Sequence, residues 1–198
     1  MTESLRDRQR AQVRADIRRA AFRLFIERGY DAVTTEEIAA AAGVSARTLF
    51  RHVPAKEELL LAPVRYGGAA IVSLLEDRPA GEPPDVALIN AIVTRTRSFD
   101  RADCEEWRKA LLVAPDLLDK VTLHRPTDKE RAAKLIAERM GANPDEDIRP
   151  GLLVQIAFAA ADFAFQQWVR QSRNRWPLDR YITEALEAVK SPHWKRKK

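Results

Sequence analysis

A single cysteine, Cys104, stands among 198 residues. An intrachain disulfide is thereby excluded, and such sparing use of thiol fits a reducing compartment. Histidine is nearly as scarce. His52, His124 and His193 lie far apart and show no metal-ligand spacing. The chain has no Gly-rich phosphate loop, no serine in a nucleophile-elbow pattern and no Glu-x-x-His pair for a di-iron bundle. These absences argue against an all-helical enzyme, so no catalytic residue, cofactor or metal is expected. No apolar run reads as long enough to span a bilayer, and the polar N-terminal stretch lacks the apolar core of a secretory signal. The expected address is therefore the cytoplasm. Strict apolar/polar alternation, the mark of a half-buried strand, is missing too.

What is present is an ordinary globular composition, 45% hydrophobic and 32% charged, with a net charge of +5. The charge is unevenly placed. Arg6, Arg8, Arg10, Arg14, Arg18, Arg19 and Arg23 crowd one end, and Lys195, Arg196, Lys197 and Lys198 crowd the other. An anionic partner fits this pattern, and its position along the chain says more than its sum. A membrane surface is the weaker candidate. The apolar stripe of the first helix is accounted for by a small helical core, so no face is left to lie in lipid.

Helical periodicity runs through the chain, which predicts an all-α fold. Val13, Ile17, Ala20, Ala21, Leu24 and Phe25 form one stripe, and Gly29 ends that helix. Thr34 with Glu37 reads as a capping box opening a second short helix, which Gly43 breaks. Ser45 is a good N-cap for a third helix, Ala46 to His52, which ends before Pro54. A longer helix is expected from Lys56 to Asp77, bent at Pro63 and Gly67–Gly68. After the loop from Pro79 to Pro84, helices are expected at 85–98, 104–113, 115–121, 128–140, 150–171 and 178–190.

The informative stretch runs from Thr34 to Lys56. Two short helices around a Gly turn make a helix-turn-helix, whose second helix can lie in a DNA major groove. Ile38, Ala42, Val44 and Leu49 supply the apolar side that holds the pair at a fixed angle. The other side of the third helix presents Arg47, Thr48, Arg51 and His52, all able to donate to base edges or phosphates. The helix N-termini, at Thr34, Thr35, Ser45 and Ala46, offer backbone N–H groups as well.

These residues resemble the TetR family of regulators. The matching words are Ile17 to Ala21, Leu24–Phe25, Gly29–Tyr30, Thr34–Thr35, Ile38–Ala39, Gly43–Val44–Ser45 and Thr48 to His52, closing with Pro54, Lys56, Glu57 and Leu59. The resemblance implies a homodimer on double-stranded DNA with a palindromic operator, and a divergent C-terminal domain for a small-molecule effector that relieves repression. By the same resemblance Thr35 and Lys56 are phosphate contacts, and Arg47, Thr48 and His52 groove contacts. Phe50 packs on a sugar or thymine methyl, with Arg51 nearby. Arg6, Arg8, Arg10 and Arg14 form a basic arm. An activator or a corepressor-dependent regulator is the alternative within that family. The implied domains are 1–55 for DNA, 56–190 for ligand and dimerisation, and 191–198 as a basic tail. The second domain, with its Trp107 helix, the break at Ala114–Pro115–Asp116–Leu117 and Leu178–Asp179–Arg180–Tyr181, is similar to the subgroup with acyl-CoA-like ligand domains.

The most apolar helix, Leu152 to Val169, has a small face of Ala157, Ala160, Ala161 and Ala164 beside bulky Phe158, Phe165 and Val169. The small face, with Trp168 and a partner stripe of Ile182, Leu186 and Val189, is the expected dimer interface. Packing inside the monomer core is the alternative. Asp162 must find a partner or stay near water. It either lines an effector pocket with Trp107, His124, Phe158 and Phe165 or is paired inside the bundle. The aromatic and aliphatic makeup suits an apolar or amphipathic effector.

Overall fold

The computed structural model describes residues 5–98, 101–119, 123–171 and 176–190. All regular structure among these residues is α-helical. Two compact units form, one from residues 1–63 with 102–121, the other from 64–101 with 122–198.

The first unit opens with α1 (Leu5–Arg28), whose Ile17, Ala21 and Phe25 are wholly buried at spacing four. Its start lies well before the apolar stripe, so the expected basic arm is helical. Residues 5–12 carry three Arg and two Gln with Leu5 and Ala11, all good helix formers, and contain no Gly or Pro. Their periodicity is silent because this stretch runs past the core and buries nothing. Gly29 then turns the chain at φ 86°, a conformation that favours glycine, and donates to the Phe25 carbonyl at 2.8 Å.

The capping box at α2 (Thr35–Ala41) forms as read: the Thr34 N–H donates to the Glu37 carboxylate at 2.8 Å, and the Glu37 N–H to the Thr34 hydroxyl at 3.2 Å. At its other end Gly43 sits at φ 68°, with Gly43 N–H on the Ala40 carbonyl and Val44 N–H on that of Ala39. This is the two-bond Schellman closure, which satisfies the last carbonyls of α2. Ser45 caps α3 (Ala46–His52) by accepting from the Thr48 N–H at 3.1 Å. The unit is completed by most of α4 (Glu58–Arg65), by α7 (Arg101–Leu112) and by α8 (Pro115–Asp119). Trp107 of α7 is buried here, and its indole N–H donates to the Leu60 carbonyl at 2.8 Å.

The single helix expected over 56–77 is interrupted at Tyr66, between α4 and α5 (Gly67–Glu76). The break falls between Pro63 and the Gly pair, beside the Pro63–Val64 boundary of the two units. In the second unit α10 (Arg149–Arg170) packs against α9 (Pro126–Met140), α11 (Leu178–Lys190) and α6 (Pro84–Arg97), while α5 packs on α6 and α9. The Arg139 guanidinium of α9 donates to the carbonyls of Leu75, Arg78 and Pro79, capping the C-terminal end of α5 with a cation.

One expectation is corrected. Two helical stretches, Glu58–Glu76 and Arg149–Arg170, are long and apolar enough by length and composition to cross a bilayer. In α10 the reason is packing: Val154, Ala157, Phe158, Ala161, Phe165 and Val169 are buried in the unit, so its apolarity supplies a core. The basic tail at 191–198, with His193, lies outside the described residues.

Candidate nucleic-acid interface

The two short helices leave one side of α3 uncovered. Leu49 is fully buried and anchors the helix, whereas Ser45, Ala46, Arg47, Phe50 and Arg51 are exposed, and Thr48 and His52 half-buried. Phe50 is 46% exposed, unusual for so large an apolar ring. Arg47 has no ion pair or hydrogen bond among the described residues, so its guanidinium is unengaged. Thr34 and Ser45 are committed as caps, and the Thr35 hydroxyl donates to the Glu36 carboxylate at 3.0 Å.

The helical extension of α1 carries exposed Arg6, Arg8, Arg10 and Arg14. Their placement relative to α3 shows at His52. Its imidazole is held below the ordinary histidine value, first by burial and then by the charges of Arg51, Arg14 and Arg10. A cation on α1 can depress a group at the end of α3 only if the two are near, so Arg10, Arg14, Arg51 and His52 share one cationic field. A cleft of about 540 Å³ on another side of α1 is lined by Asp16, Arg19, Arg23, Glu27 and Glu106, so charges of both signs surround it.

Lys56 is engaged within the protein. Its ammonium donates to the carbonyls of Tyr30 and Val33 at 2.9 and 3.0 Å, and sits 4.2 Å from the centre of the Tyr30 ring. Beside it, Arg28 pairs with Glu37 at 2.8 Å. The Thr34 backbone N–H and then the Arg28 guanidinium hold the Glu37 carboxyl below its usual value. These long-range ties carry no signal in sequence, because the partners of Lys56 are main-chain carbonyls more than twenty residues away.

In the second unit His124, Phe158 and Asp162 come together. His124 Nδ1 and Asp162 Oδ1 lie 2.9 Å apart, and the imidazole stacks on Phe158 at 4.2 Å. Both atoms are buried and neither has a hydrogen-bond partner, so this is a close approach without a directed bond. Phe165 lies one to two turns further along α10, on its buried side. Trp107 belongs to the first unit, where its indole N–H donates to the Leu60 carbonyl.

Of the alanine face, Ala157, Ala161 and Ala164 are buried within the protomer together with Trp168, and Ala160 is half-buried. Ile182 and Leu186 are buried, and Val189 is exposed. The apolar residues that α10 leaves exposed are Leu152, Ile156 and Phe163, the last at 61%, with Ala159 between them. Their spacing of four, three and four was visible in sequence. Gln155, Asp162 and Gln166 mark that outward side at helical spacing, but the apolar residues around them weaken the signal in sequence.

Residues 17–62 match the family described as bacterial regulatory proteins, tetR family, and residues 82–193 match the MftR C-terminal domain. The HTH-type transcriptional regulator TcmR of Streptomyces glaucescens is 33% identical over 195 residues, spanning 94% of this chain and 86% of that protein. The HTH-type transcriptional repressor DhaR of Mycobacterium sp. (strain GP1) is 27% identical over 202 residues, with 91% and 93% covered. Among solved structures, NalD of Pseudomonas aeruginosa, the secondary repressor of the MexAB-OprM multidrug efflux pump, matches with a TM-score of 0.58 at 20% identity, covering 91% of this chain and 96% of that one. At that identity the likeness concerns the fold.

Proposed function

The chain belongs to the TetR family of bacterial transcription regulators, and from that premise we propose that it is a homodimeric repressor of a palindromic operator, released by a small apolar or amphipathic effector. Its relatives are DNA-binding regulators and not enzymes.

The observation that carries the DNA-binding mode is the unengaged, exposed face of α3. Arg47 points no donor at the protein, and a guanidinium of that kind discriminates a guanine by about 1–3 kcal/mol through a bidentate contact. Thr48, Phe50, Arg51 and His52 complete the groove face, and Thr35 stands at the start of α2 for a phosphate. Arg6, Arg8, Arg10 and Arg14 add salt-dependent, sequence-independent affinity from the helical extension of α1. A two-fold dimer would set two α3 helices about 34–36 Å apart, one turn of DNA.

The effector reading rests on the second unit. His124 and Asp162 form a polar pair beside the buried Phe158, a combination suited to fixing the orientation of an apolar ligand. The covalent path from that unit to the helix-turn-helix runs through the Tyr66 break and Pro63. Release requires the effector to favour one arrangement of the dimer over the other.

Selection of random duplexes by the purified protein, then gel shift of the winner, tests the reading. The expected result is a palindrome with half-sites about one turn apart, bound by the native chain and lost in Arg47→Ala while the dimer survives. Unchanged operator affinity in Arg47→Ala overturns it.

A further inference from the structure

Lys56 stands in the link between α3 and α4, where a family phosphate contact is expected, yet its ammonium is turned into the protein. Two of its three N–H donors go to the Tyr30 and Val33 carbonyls, and the Tyr30 ring covers the charge at 4.2 Å. Those carbonyls belong to the turn that joins α1 to α2. Within the turn the main-chain tie is long, with Val33 N–H reaching the Tyr30 carbonyl at 3.4 Å. Tyr30 is itself anchored, since its ring packs at 5.1 Å on the fully buried Phe25. Only the third N–H remains for a phosphate, and for the ammonium to swing out to one, two part-buried carbonyls would lose their donor, which is costly where water does not replace it.

We propose that Lys56 is a positioning residue, a pin that fastens the α3–α4 link to the α1–α2 turn, and that it supports DNA binding by fixing the angle of the helix-turn-helix. Its effect on DNA rests on the regulatory reading above; the pin is a property of the free chain. In the same cluster Arg28, on the surface, ties the end of α1 to α2 through Glu37, so a second cation fastens the turn from its exposed side.

Two experiments read the pin separately from the DNA. The first is reductive methylation of lysines in the native full chain, followed by mass spectrometry, with and without the selected operator duplex. Lys56 is expected to react more slowly than the exposed Lys109 in the free chain, with no further protection when duplex is added. Fast reaction in the free chain with protection by duplex overturns the proposal. The free-chain half needs no DNA, so failure of the pin is distinguishable from failure of the regulatory reading.

The second is the salt dependence of operator affinity in Lys56→Met and in Tyr30→Leu. Both are expected to unfold at lower temperature and to bind more weakly by one constant factor at every salt concentration, giving log–log lines parallel to the native one. A lost phosphate contact would instead lower the slope by about 0.9. That shallower slope in Lys56→Met, with an unchanged unfolding temperature, overturns the proposal. Should Lys56→Met fail to fold, the labelling of the native chain decides.

Discussion

At the scale of single residues, His52 joins electrostatics to the proposed function. Burial, Arg51, Arg14 and Arg10 all favour the neutral imidazole in the free protein, so its value lies below the ordinary one of about 6.5. A nearby phosphate acts in the opposite direction and would raise it, so binding DNA takes up a proton. Operator affinity is therefore expected to rise as pH falls from neutrality through the ordinary histidine range, and His52→Gln should flatten that dependence. Binding titrations at constant salt measure it, and an equal slope in His52→Gln rules the linkage out. Folding has the reverse sign for this group: a histidine with a depressed value destabilises the fold as pH drops through that same window. Glu37 behaves as a carboxylate held low. Its contribution to the turn is present above the ordinary carboxylate value and is lost only as pH falls through its own lower one. Both caps of the helix-turn-helix were readable from Thr34, Glu37 and Ser45, because capping joins residues three apart. The Lys56 and Arg28 ties were not, because their geometry depends on how the turn folds back.

At the scale of elements, the packing of α5 on α9 depends on an absent side chain. A β-carbon on Gly68 would fall 2.9 Å from both the β- and γ-carbons of Asp128. Asp128 cannot easily swing away, since its carboxylate accepts from the Arg125 N–H and guanidinium, each at 3.2 Å. Alanine gains roughly 0.5–1 kcal/mol over glycine inside a helix, whereas such an overlap costs about 1–3 kcal/mol. The overlap wins, so Gly68→Ala should unfold at lower temperature. Gly67→Ala, which meets only the Leu123 carbonyl at 3.4 Å, serves as the tolerated control. Calorimetry of the two variants checks this, and a higher unfolding temperature for Gly68→Ala would mean that Asp128 gives way. The glycine pair was read from sequence as a bend. Its second member is there for close approach, which only a packed neighbour reveals.

At the scale of the whole molecule, the proposed dimer needs a surface that the protomer leaves uncovered. The exposed stripe of Leu152, Ile156 and Phe163 on α10 is such a surface, and the buried alanines are not. Phe163→Arg is expected to shift the protein from dimer to monomer in sedimentation, and to weaken operator binding because two half-sites are then engaged independently. A dimer that survives this change, together with Leu152→Arg, would place the interface elsewhere. The amino-acid sequence by itself determined the helical class, the helix-turn-helix and its caps, and which residues of α3 stay exposed, because each is written in residues three or four positions apart. Only the tertiary structure decided that Leu152, Ile156 and Phe163 of α10 stay uncovered, that Trp107 packs with the first unit, that Asp162 meets His124 and that Lys56 points into a turn. Those outcomes depend on partners distant in the chain, and local periodicity carries no record of what a side chain will meet once the helices have packed.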